Sequence, residues 1–129
     1  MNREECARML SEAVPDGKTI LEEHMNVYEE ILLHILAGDL ITEPLIELLQ
    51  WNKGSDRIGL YCNMIEQMWR MGDSDVVNVV DVTILERLSD DVNVWNQFGT
   101  YLSNEFKEYI NKEAIPNNVM MPHHFLEYS

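Results

Sequence analysis

The chain has 129 residues, 46% of them hydrophobic, and a net charge of −14 at neutral pH. That length fits one domain with a real core, and no apolar run approaches the roughly 18–20 residues a membrane span needs. The acidity argues against nucleic acid or an anionic membrane as partner and favours a basic one. The first ten residues, MNREECARML, lack the pattern of a signal peptide. Cys6 and Cys62 stand far apart without a CxxC, so a cytoplasmic chain with reduced, inert core thiols is expected.

In chain order, residues 3–14 read as a first helix with Asn2 as its cap, closed by the turn Pro15-Asp16-Gly17. Thr19 and Asn26 each precede a glutamate at capping-box spacing, so 19–37 is one helix or two. Val27, Ile31, Leu32, Ile35 and Leu36 form a helical stripe that Gly38 is expected to stop. Thr42 is the cap expected for the next helix, with Pro44 in its first turn and Leu45, Ile46, Leu48, Leu49 and Trp51 as its apolar positions. After Lys53-Gly54-Ser55, with Ser55 or Asp56 as cap, a wide apolar face runs from Ile58 to Met71, and Gly72 ends it.

The stretch 74–89, SDVVNVVDVTILERLS, is rich in β-branched residues, yet Val76-Val77 followed by Val79-Val80 breaks strand alternation. It reads as a central helix capped by Ser74. Its apolar arc takes in Val76, Val77, Val79, Val80, Thr83, Ile84 and Leu88, with Val82 and Leu85 among the polar positions. Val77, Val80, Ile84 and Leu88 are expected to pack on Ile31, Ile35, Ile65 and Met68. Residues 92–112 carry a last aromatic stripe, in which Gly99 marks a kink or a split. The expectation is an all-α domain over 1–114, about six antiparallel helices in a layered, HEAT-like stack or a bundle, with an irregular tail at 115–129.

No phosphate loop, HExxH, GxSxG or EF-hand loop is present. Glu30 and His34 stand four apart, as a structural pair on one helix would. His123-His124 point in different directions on any regular element. Neither a metal nor a cofactor is expected. Antiparallel connectivity places the connections at 38–43 and 72–75 at one end. Asp39, Glu43, Asp73 and Asp75 would then form an acidic pole for a basic partner, with Asn78, Asp81 and Glu86 as the next candidate edge.

Three stretches, LLHILAGDLI (32–41), MWRMGDSDVVNVVDVTILERL (68–88) and WNQFGTYLSNEF (95–106), resemble a family of small bacterial helical proteins without an assigned enzymatic activity. The matching segments are Leu32 to Asp39, Gly72 to Asn78 and Leu85 to Leu88; Leu33 stands where the family often has Pro. Such proteins are similar to the immunity proteins of polymorphic-toxin and contact-dependent growth inhibition systems. The resemblance implies a non-enzymatic binder of one cognate protein toxin with a basic surface, for example a nuclease. A helical adaptor or regulatory domain with a basic partner is the alternative.

Overall fold

A computed structural model of the chain describes residues 1–114; the tail expected at 115–129, with His123 and His124, lies outside the described residues. Among the described residues there are seven helices and no strand: α1 (Arg3–Ala13), α2 (Gly17–Tyr28), α3 (33–51), α4 (Ser55–Met71), α5 (74–88), α6 (Val92–Gly99) and α7 (104–114). The all-α expectation holds, β-branched stretch included. No described helix is long and apolar enough to cross a membrane.

Helix α1 starts on a complete capping box, in which Asn2 and Glu5 exchange side-chain bonds of 2.8 and 3.0 Å with each other's backbone N–H. Pro15 and the left-handed Asp16 (φ 60°) turn the chain into α2. Gly17 opens that helix in close contact with α1: a Cβ there would lie 2.2 Å from the Ser11 carbonyl oxygen.

The stripe expected at 27–37 does not form as one face. Helix α2 runs through Asn26 to Tyr28, Glu29 leaves it with φ 62°, and the chain is non-helical until Leu33. The break resets the phase, leaving Val27 70% and Ile35 41% exposed. It also takes Glu30 off the helix of His34, whose Nδ1 bonds the Thr83 hydroxyl instead. The buried His24 holds the break, its Nε2 accepting from the Leu32 N–H at 3.0 Å.

Gly38 does not stop α3, and Thr42 does not cap a new helix. Both have right-handed helical backbone (φ −57° and −66°) inside a π-helical turn, Gly38–Thr42, between the α-helical Leu33–Ala37 and Glu43–Trp51. The buried residues explain the wide turn. They recur as Leu36/Ala37, Leu40/Ile41, Leu45/Ile46 and Leu49, so one step is five residues and not four. At 100° per residue an α-helix would carry the later pair well off the buried face; a π-turn absorbs the extra residue. Helix α5 repeats the device. Val79/Val80 and Ile84/Leu85 are five apart, and Val80–Leu85 is π-helical.

The same extra residue corrects the central wheel. Leu85, expected among the polar positions, is fully buried, and Val77 is only half-buried; Val82 is 49% exposed and Val76 and Val79 are core, as expected. Val80, Ile84, Leu88, Ile65 and Met68 are core as expected. The N-cap is Asp73, not Ser74, its carboxylate accepting from the Val76 N–H at 3.1 Å.

Short turns reverse the chain at 52–54 and 72–73, so α3 and α5 run in the same direction with α4 packed on both. The register is read from Leu33–Ala37 against Ser74–Val79, the two π-turns against each other, and Glu43 against Arg87. Helix α1 packs on α2, α3 and α5, and α6 on the second half of α3. The split at Gly99 is realised as a non-helical link before α7, capped by Ser103. Glu66 on α4 accepts from both the N–H (3.0 Å) and the hydroxyl (2.6 Å) of Ser103. Trp69 stacks on Phe106 with ring centres 4.8 Å apart.

Candidate protein-binding surface

The four acidic positions expected to form one pole, Asp39, Glu43, Asp73 and Asp75, do not share one end. Residues 38–43 are helix, not a connection, so the premise of a single pole fails. Asp75 and Asn78 line a cleft of about 390 Å³ with Arg3 and His34, at the level where α3 begins. Glu43 stands nine residues beyond His34, about 13 Å along the α3 axis, and with Asp39 it lines a different cleft.

The individual roles differ as well. Asp73 is exposed but serves as the α5 cap. Glu43 pairs with Arg87 at 3.2 Å, and Arg87 also reaches Asp90 at 3.6 Å. Glu86 is exposed beside that pair. Asp81 is half-buried, both carboxylate oxygens accepting from the Tyr109 hydroxyl at 2.9 Å. It ties α5 to α7 and is not a free edge.

Burial raises the Asp81 carboxyl above its ordinary value, against the lowering effect of the Tyr109 bond. A raised value in the fold means that the favourable contribution belongs to the neutral form. It is present at acid pH, below the unfolded value of 3.8, and lost as pH rises through the folded one. Asp81→Asn keeps an acceptor for Tyr109 without the charge. It should therefore melt slightly above the parent at pH 7 and level with it near pH 3. A lower melting temperature at pH 7 would show that the bonds to the charged carboxylate outweigh desolvation.

Burial pushes the Cys6 thiol up to about 12, with the negative charge of Asp73 adding to the rise and the amino terminus opposing it. Cys62 is likewise pushed up to about 12 by burial and then by Glu66. Both are buried and protonated at neutral pH, the condition of unreactive thiols.

Two residues outside the expected set complete a surface on α3. Asp39, Glu43, Glu47 and Trp51 are all exposed and stand four apart. They line one side of the second half of the helix, with Pro44 and Gln50 between them. Trp51 is 70% exposed. Beyond it a second cleft, of about 430 Å³, shares Pro44, Glu47 and Trp51 with the first and is closed by Lys53, Arg57 and Tyr61. The signal for this row was in the sequence, as a fourfold spacing from 39 to 51. It is masked because Trp51 follows Leu48 and Leu49 and reads as one more apolar position of the helix.

The comparisons with known proteins give one match. A family model described as a domain of unknown function, DUF7674, covers residues 7–116, from within α1 to beyond α7, so the N-terminal helix is part of the family unit. No curated protein and no solved structure matches the chain. With most of its length covered by that model, the chain belongs to the DUF7674 family.

Proposed function

We propose that this protein is a non-enzymatic immunity protein that binds one cognate toxin through an acidic surface. The observation that carries the reading is the row Asp39, Glu43 and Glu47, exposed on one helix of a chain with net charge −14. Like charges four apart on a helix cost stability, each pair by a few tenths of a kcal/mol. Arg87 offsets Glu43, which leaves Asp39 and Glu47 as charges in no ion pair among the described residues and suited to a basic partner. Such a field speeds encounter with a cationic cleft, and it can cover a nuclease site that otherwise holds phosphate. The resemblance of 32–41, 68–88 and 95–106 to the immunity-like family supports the same reading. Asp75 and Asn78, in their separate cleft, are a second area for contact.

The test is co-expression with the product of the adjacent gene, scored by growth rescue and co-purification. Asp39→Lys/Glu47→Lys should slow association several-fold at low salt and much less at high salt, with an unchanged melting temperature. Asp73 is unsuited to this test because its reversal also removes the α5 cap. A stable complex without growth rescue would favour the adaptor reading. Unchanged association kinetics in the double variant would place the contact elsewhere.

A further inference from the structure

Trp51 combines a large apolar surface with almost no structural duty. It is the last residue of α3, followed by the left-handed Asn52 (φ 51°), and its ring is 70% exposed. The other two tryptophans contribute to packing: Trp95 is fully buried, and Trp69 stacks on Phe106 and meets Tyr109 at a tilt. The clefts on either side of Trp51 differ in charge. Glu47 borders both; Lys53 and Arg57 line only one, Asp39 and Glu43 only the other, and the Arg87 of that acidic side is engaged by Glu43 and Asp90.

We infer that the Trp51 indole, with the Glu47 carboxylate one helical turn away and in no ion pair among the described residues, is the docking point for an arginine side chain of a basic partner protein. A guanidinium stacks on the face of an indole and presents its N–H groups in the ring plane. The Glu47 carboxylate, which lines the same cleft, can accept them in charge-assisted bonds. Lys53 and Arg57 line only the other cleft, so the approach of a cation is less opposed from the side of Asp39 and Glu43. A second copy of this chain is a poor occupant, since it would bring −14 against −14. Exposed tryptophans in such settings are the side chains on which binding energy concentrates.

The inference rests on the immunity reading only for the nature of the partner, and the test has two arms. In the first, blocked nonapeptides carrying three arginines, three lysines or three citrullines in a Gly/Ser frame are titrated into the full chain. The Trp51 indole N–H is followed by NMR and assigned by its loss in Trp51→Ala. The arginine peptide should shift that signal saturably and bind at least fivefold tighter than the lysine peptide. Citrulline should give no shift, and Glu47→Gln should weaken binding at least threefold. Absence of a saturable shift, or equal affinity for arginine and lysine that Trp51→Ala leaves intact, would overturn the inference in favour of diffuse attraction. In the second arm, the adjacent gene product should lose at least tenfold in affinity for Trp51→Ala, whose melting temperature should match the parent. Full affinity in that variant overturns the docking point and leaves the immunity reading standing. No binding to either form, with the peptide result intact, removes the immunity reading and leaves the docking point standing.

Discussion

Val80→Asp should leave the protein unfolded at ordinary temperatures. Val80 opens the π-turn of α5, is fully buried, and lies where α5 faces the π-turn of α3. The apolar residues around that junction, among them Leu40, Ile41, Ile84 and Leu85, are themselves almost completely buried. A carboxylate placed there keeps its charge at a desolvation cost of several kcal/mol, or takes up a proton at a comparable one. Either is a large share of the roughly 5–15 kcal/mol that holds a domain of this size together. Urea titration followed by circular dichroism measures the effect. A variant melting within a degree or two of the parent would mean that Val80 faces solvent.

The second large effect comes from one methyl group. Gly17→Ala places a Cβ 2.2 Å from the Ser11 carbonyl oxygen and 2.8 Å from that residue's carbonyl carbon and Cα. All three are backbone atoms, so no rotamer change relieves the overlap and α1 must move off α2. Overpacking of this kind costs about 3 kcal/mol, a fall in melting temperature on the order of ten degrees. The matched control is Gly59→Ala in the middle of α4, where an added Cβ meets nothing within 4 Å. The same substitution there should be neutral or stabilising, by up to about 1 kcal/mol, through helix propensity. Thermal melts of the two variants side by side decide the matter. Equal melting temperatures would show that the α1–α2 contact is looser than its geometry indicates.

Helix content, most turns and most of the core were legible in the sequence because they depend on local signals. Asn2 and Gly72 sit at the termini their chemistry suits, and Gly99 does mark a split. Two of the failures share one cause. A fixed step of 100° was carried through 27–37 and 74–89, where the chain changes phase, once by a break after Tyr28 and once by a π-turn. Gly38 and Thr42 carried the chemistry of a stop and a start. Tertiary packing of Leu40 and Ile41 kept them helical, and the proposed acidic pole went with the connection that was not there. The five-residue step between buried pairs was visible in both helices, but it has meaning only once the buried face is known. Asp81 lost its place at the free edge for a different reason, since no local pattern announces Tyr109 as its partner from another helix.

The paired π-turns also bear on the descent of the fold. A π-turn is what an α-helix becomes when one residue is inserted and neither flank repacks. Two of them meet here on neighbouring helices, at Gly38–Thr42 and Val80–Leu85. A relative lacking one residue in either stretch would keep every buried pair in place and straighten that helix, so single-residue gaps in this family should gather at those two sites. In α3 the turn has a further result. It keeps buried residues on both sides of it, Leu36 and Ala37 before and Leu45 and Ile46 after, on the same core, while the outward row that ends at Trp51 can vary without disturbing the packing beneath it.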